Sequence, residues 1–316
     1  MSSLIEKAAL RLEQLRKAGV DTAALEAAAA RGPEAPVSRA PQMPPAPPSV
    51  PEEPISRLVK IDLNALTRDG YVTPSAPRSA IADQYRVIKR PLLANATGKG
   101  ASVVPNGNRI MVTSAMPGEG KSFTAVNLAM SIAMELDYRV LLVDADVARP
   151  SLMKAFGLPA GPGLLDLLLS DKVEMSDVLL RTNVDKLSLL PSGTPHPRAT
   201  ELLASDAMTD LIEEMGQRYP DRIIIFDSPP LLLTTEARVL ATHMGQVVMV
   251  VQAEKTLQSQ VRHAMTTIES CPIKLMLLNQ ARGGDQDAYG YGYGYGYGYT
   301  PKGQPAETGA TAAAAA

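Results

Sequence analysis

Apolar residues change rhythm several times along this chain, and each change marks an element. Near the start, Ser3 followed by Glu6 reads as a capping box, and Leu4, Ala8, Leu12 and Leu15 then share one helical face until Gly19 stops the helix. A second short helix is predicted from Asp21. Between Pro33 and Pro54 lie nine prolines and almost nothing aliphatic, a composition that favours extended polyproline segments and cannot bury a core. From about Ser79 the pattern becomes short runs alternating with helix-sized stretches. The predicted strands are Arg109 to Ser114, Arg139 to Asp144, Lys186 to Leu190, Arg222 to Asp227, Gln246 to Val251 and Lys274 to Leu278. Most are apolar throughout instead of alternating, as in a parallel sheet covered on both faces. A helical run, Phe123 to Leu136, follows the first of them. The expected fold is α/β, a three-layer domain with a mostly parallel sheet. It is preceded by a helical segment (1–32) and a Pro-rich linker (33–54), covers 55–282, and is followed by a flexible tail (283–316). In that tail Tyr289, Tyr291, Tyr293, Tyr295, Tyr297 and Tyr299 alternate with glycines, six of the ten tyrosines in the chain.

Charge and composition narrow the function classes. Thirty-one Lys and Arg against thirty-three Asp and Glu leave a formal net charge of -2, so there is no bulk basic excess of the kind a nucleic-acid binder carries. The single cysteine, Cys271, rules out an internal disulfide framework and a cysteine-rich zinc site. Glu6, Lys7, Arg11 and Glu13 stand where a signal peptide would need its apolar stretch, and the most apolar segments are strand-sized. The expectation is a cytoplasmic protein.

The chemistry concentrates at three strand ends. Ala115-Met-Pro117-Gly118-Glu119-Gly120-Lys121-Ser122 follows a predicted strand and precedes a predicted helix, the setting a phosphate-binding loop needs. Glycines let backbone N–H groups turn toward phosphate oxygens, and the helix offers its positive dipole end. Lys121 is expected to reach the β- and γ-phosphates and the Ser122 hydroxyl to bind Mg²⁺, while Ala115 replaces the motif's first glycine. The next strand ends in Asp144-Ala-Asp146 and a later one in Asp227-Ser-Pro-Pro. Carboxylates at the carboxyl edge of an α/β sheet are where a phosphate loop finds acids for its metal, although any one of them alone would also suit a strand-to-helix turn.

With these residues in view, the chain resembles the bacterial tyrosine kinases, most closely the cytoplasmic tyrosine autokinases encoded with exopolysaccharide loci. That family has a Walker A loop, a Walker A′ motif ending in Asp-x-Asp, a Walker B ending in Asp-x-Pro, and a terminal tyrosine cluster. The matching stretches are Ala115 to Ser122, Val140 to Asp146, Ile223 to Pro230 and Tyr289 to Tyr299. The family's Walker A′ arginine, four residues after the first Asp, falls on Ala148; the arginine here is Arg149. Asp83, Arg86 and Lys89, spaced by three, are similar to the family's Glu-x-x-Arg-x-x-Arg helix, which packs subunits into a ring.

The resemblance implies an ATP- and Mg²⁺-dependent protein-tyrosine autokinase. Pro117, Gly118, Glu119, Gly120, Lys121, Ser122 and Phe123 would bind the nucleotide, with Asn279, at the end of the last strand, the candidate adenine contact. Ser122, Asp146 and Asp227 would hold Mg²⁺, Lys121, Asp144 and Asp146 would be catalytic, and Asp144 is the candidate base for the incoming phenol. The six tail tyrosines would be phosphoacceptors. The implied partners are further copies of the chain in a ring, a membrane protein of the polysaccharide chain-length-control type that recruits the kinase to the inner face of the membrane, and a cognate tyrosine phosphatase, with no nucleic acid. The alternative is a septum-site or partition ATPase, a nucleotide switch of the same fold. Its loop carries a lysine where Met116 stands here, and it wants a terminal amphipathic helix or a basic surface that the Tyr-Gly tail does not supply.

Overall fold

The computed structural model describes residues 56–170, 172–218 and 221–281, all within the compact unit that begins at Pro54. The expected N-terminal helices, the Pro-rich linker and the tyrosine tail lie outside the described residues.

Eight strands form one sheet: β1 (Leu58–Val59), β2 (Arg109–Ser114), β3 (Arg139–Asp144), β4 (Leu180–Thr182), β5 (Leu187–Leu190), β6 (Arg222–Asp227), β7 (Gln246–Gln252) and β8 (Ile273–Asn279). Their spatial order is β1-β4-β5-β3-β6-β2-β7-β8, and every pairing is parallel except β4 with β5. The sequence pattern misses β1 and β4, which are two and three residues long and too short to show a period. It also starts β5 one residue early, since Lys186 takes a left-handed φ of 69° and turns its ammonium to the carbonyls of Glu135 and Leu136.

The unbroken apolar strands are explained by cover on both faces. Ile110, Val112, Val140, Leu142, Ile223, Ile225, Val248 and Val250 belong to one buried cluster, and their alternates Met111, Leu141, Val143, Ile224, Phe226, Val247 and Met249 to another. The first face is covered by α2 (Ala80–Ala96) and α3 (Lys121–Ala133), the second by α8 (Asp206–Arg218), α9 (Glu236–Thr242) and α10 (Gln258–Thr266). Short helices α1 (Leu63–Arg68), α4 (Leu152–Ala155), α5 (Leu164–Leu169), α6 (Met175–Val178) and α7 (Ala199–Leu203) occupy the connections. Each large aliphatic side chain buried in these layers contributes about 1.5–3 kcal/mol relative to exposure. The result is the expected three-layer α/β fold, with the ends of β2, β3 and β6 gathered at one edge, where such sheets bind ligands.

The expected stripe of Asp83, Arg86 and Lys89 needs correction. Asp83 and Arg86 are exposed and ion-paired with each other along α2, and Arg86 also donates to the Pro77 carbonyl at 2.9 Å. Lys89 is buried, donating to the Ser131 carbonyl at 2.5 Å and pairing with Glu135 at 2.8 Å. Helical geometry accounts for the difference: each step of three residues lags a full turn by about 60°, so two steps rotate Lys89 by about 120° from Asp83, into the contact with α3. No helix among the described residues is long and apolar enough to cross a membrane.

Candidate functional site

The loop after β2 is shaped by two glycines. Gly118 and Gly120 have φ of 84° and 96°, in the left-handed region, and Gly120 is the residue on which α3 starts. Ala115, by contrast, is not among the residues with positive φ, so the alanine in place of the motif's first glycine carries no backbone penalty. The helix begins at Lys121, two residues before the expected Phe123, because the Gly120 carbonyl already accepts the Thr124 N–H at 2.9 Å.

Above this loop opens a cavity of about 490 Å³, a size typical of small-ligand sites. Pro117, Gly118, Gly120, Lys121, Ser122 and Phe123 form one wall, and Asp146 and Arg149 another. Pro229, Pro230, Leu233 and Thr234, from the connection after β6, complete it. The nearly buried Lys121 ammonium pairs with Asp146 at 2.5 Å. The sequence reading left Arg149 without a role, and the structure places it at the cavity. A turn in which the Arg149 N–H donates to both the carbonyl and the carboxylate of Asp146 brings Ala148 and Arg149 alike to the wall. Leu233 and Thr234 were also missed; nothing in their spacing singles them out.

One expected catalytic residue sits away from the cavity, and two expected nucleotide-binding residues make side-chain bonds within the protein. Asp144 does not line the cavity: it is fully buried, and its Oδ2 accepts the N–H groups of Ser151 and Leu152 at 3.2 and 3.1 Å. It therefore holds the turn into α4, and an incoming phenol cannot reach it in this conformation, whereas Asp146 faces the cavity. Glu119 belongs to the loop, yet its side chain is buried beneath it, accepting the Met116 N–H at 2.9 Å and bonding the Thr256 hydroxyl. Asn279, the candidate adenine contact, donates to the Glu119 carbonyl at 2.9 Å.

Asp227 lies beside Asp144 in the β3–β6 register, fully buried, with no hydrogen-bond partner on either carboxylate oxygen. Burial pushes its pKa up to about 6 against the lowering influence of Lys121, while the Ser122 and Ser151 hydroxyls lie near without completing bonds of normal geometry. Burial, reinforced by the charge of Asp227, pushes Asp144 up to about 7. Two unsatisfied buried oxygens beside a serine hydroxyl at a phosphate loop suit a hard cation. Among the described residues no three His, Cys, Asp or Glu side chains converge on a metal site. Mg²⁺ is held by one or two carboxylates, phosphate oxygens and water, and Asp227 and Ser122 would offer it such ligands.

A pH dependence follows. A carboxyl whose pKa is raised from about 4 in the unfolded chain holds more protons when folded, so its contribution is fully present below about pH 4 and is lost as pH rises through about 6 to 7. Without metal or nucleotide, the gain in melting temperature of Asp227→Asn over wild type should grow from near zero at pH 4 to its maximum above pH 7. Thermal unfolding curves across that range check it, and an equal difference at every pH would contradict it.

The AAA domain family AAA_31 matches residues 107–277. The chain is 35% identical over 221 residues to the tyrosine-protein kinase YwqD of Bacillus subtilis, covering 69% of this chain and 89% of that one. It is 34% identical over 195 residues to the tyrosine-protein kinase CpsD of Streptococcus agalactiae, covering 58% and 82%. Among solved structures, the kinase domain of the Escherichia coli tyrosine kinase ETK superposes with a TM-score of 0.55 at 26% identity, covering 76% of this chain and 95% of that domain.

Proposed function

The chain belongs to the bacterial tyrosine-protein kinases, and from that premise we propose that it transfers the γ-phosphoryl group of ATP to tyrosines of its own C-terminal cluster. The observation that carries this reading is the single cavity shared by Lys121, Ser122 and Asp146 above the unsatisfied Asp227, in a chain that also holds Tyr289, Tyr291, Tyr293, Tyr295, Tyr297 and Tyr299. In the transfer the phenol oxygen bonds the γ-phosphorus as the bridging bond to ADP breaks, and the phenol proton passes to solvent water. Lys121 and the loop N–H groups stabilise charge on the moving phosphoryl group. Ser122 and Asp227 would hold Mg²⁺ with Asp146, which supplies charge neutralisation along the phosphates. A loose transition state asks little of a base, and Asp146, facing the cavity, is better placed than Asp144 to orient the acceptor.

The last described strand ends close to the site, since Asn279 touches the loop. From Asn279 to Tyr295 is 295 − 279 = 16 residues, which span at most about 55 Å when extended, far enough to reach a neighbouring subunit. We therefore place the transfer between copies in a homo-oligomer, with Asp83 and Arg86 as surface candidates for its interface; Lys89 is engaged within the chain. The likeness to exopolysaccharide-locus kinases supports a cytoplasmic role in regulating polysaccharide synthesis or export. It also supports a membrane chain-length-control protein as recruiter and a tyrosine phosphatase as the opposing enzyme. A septum-site or partition switch has less support, with Met116 where the signature lysine of that class would stand.

Purified protein incubated with Mg-ATP and mapped by mass spectrometry should carry phosphate on residues 289–299, with none after replacement of Lys121 by methionine. Phosphate on an added tyrosine-containing substrate but not on these six would overturn the autokinase reading while leaving a kinase.

A further inference from the structure

A phosphate loop works only if its N–H groups converge on one side, and its carbonyls must then find donors on the other. Here the donors can be named. The Gln280 side-chain amide donates to the Gly118 carbonyl at 3.1 Å, and that of Asn279 to the Glu119 carbonyl at 2.9 Å. The Gly120 carbonyl is taken by Thr124 as the first turn of α3. No peptide bond among the described residues is cis, and in a trans peptide the N–H points opposite to the preceding C=O. With the Gly118 and Glu119 carbonyls drawn toward the end of β8, the N–H groups of Glu119 and Gly120 are turned away from it. The N–H of Lys121 leaves the free end of α3.

A second set of bonds fixes the loop from beneath. The buried Glu119 carboxylate receives the Met116 N–H at 2.9 Å through one oxygen and the Thr256 hydroxyl through the other. Thr256 in turn accepts the Gln252 N–H at 3.1 Å, and the Gln252 side chain donates to Gln280 at 2.6 Å. The loop is thereby tied to the carboxyl ends of both β7 and β8, strands distant from it in sequence.

We propose that Glu119, Thr256, Asn279 and Gln280 are positioning residues that hold the phosphate loop with its amides turned toward the cavity before nucleotide binds. They act on the reaction through the loop backbone and touch no reacting atom. The inference rests on reading 115–122 as the phosphate loop.

The test is steady-state kinetics on the full chain, varying Mg-ATP, for Thr256→Val, Thr256→Ser and Gln280→Ala, with Lys121→Met in parallel. Valine keeps the shape of threonine and removes both hydrogen bonds; serine restores them. Thr256→Val should lower kcat/KM for ATP about tenfold, about 1.4 kcal/mol, mainly by raising KM. Thr256→Ser should stay within about threefold of wild type by the same free-energy scale. Gln280→Ala, an exposed site whose loss does not threaten folding, should shift KM in the same direction and serves if Thr256→Val does not fold. Unchanged KM in both Thr256→Val and Gln280→Ala, or equal loss in the valine and serine variants, would overturn the proposal. If Lys121→Met keeps full activity, the phosphate-loop reading itself fails, an outcome distinct from the others.

Discussion

Replacing Lys121 by methionine should reduce autophosphorylation at least about 100-fold, the scale of removing one group that stabilises transition-state charge. The sequence alone suggests a purely chemical loss, since a phosphate-loop lysine packs no core. The structure adds a second effect. Lys121 is also the counter-charge of the nearly buried Asp146, at 2.5 Å, so methionine leaves that carboxylate unpaired. The stability cost should stay below the roughly 3–5 kcal/mol of a fully enclosed pair, because the cavity admits water. Labelled ATP measures the first effect and thermal unfolding at pH 7 the second. The double variant Lys121→Met with Asp146→Asn should regain stability and remain inactive. Undiminished labelling of the single variant, with contaminating kinases excluded, would remove Lys121 from the chemistry.

Alanine at Gly120 should be far more damaging than alanine at Gly118, although both glycines have left-handed φ. At Gly118 a Cβ would meet nothing within 4 Å, so the cost is the backbone strain alone, about 1–2 kcal/mol. At Gly120 a Cβ would lie 2.1 Å from Nδ2 of Asn279, the atom that donates to the Glu119 carbonyl. Asn279 must move and release the loop. A shift of about 1 Å in a phosphate-positioning element can cost about 100-fold in rate, so kcat/KM for ATP should fall by that order in Gly120→Ala and by roughly a tenth as much in Gly118→Ala. Equal losses in the two variants would show that the contact with Asn279 carries no weight.

The strands most legible in the sequence were those buried on both faces. Arg109–Ser114, Arg139–Asp144 and Arg222–Asp227 fall where the apolar runs predict them, because a central parallel strand needs apolar side chains at every position. The edges were less legible. On β8, Met276 and Leu278 are largely exposed although the run reads as fully apolar, since an outer strand lacks cover on part of its surface. The Lys89 misassignment has a similar origin: a spacing of three suggests one stripe, and only the helix's rotation and its packing on α3 send the third charge inward.

What the sequence by itself determined is the local chemistry. Strand, GEGKS loop and helix in succession, and Asp at the ends of two apolar strands, are set by neighbours in the chain, whose conformational needs their own side chains express. Only the tertiary structure decided which groups meet across the sheet. That Asp146 pairs with Lys121 depends on β3 and β2 flanking β6. Asp227 is left without a partner because β6 buries it beside Asp144; burial raises both pKa values, and the charge of Asp227 adds to the rise at Asp144. The loop's carbonyls are satisfied by Asn279 and Gln280, about 160 residues away, because β8 ends at the same edge as β2. Such contacts follow from strand order and register, which hydrogen bonds between distant segments fix and which leave no periodic trace in the sequence.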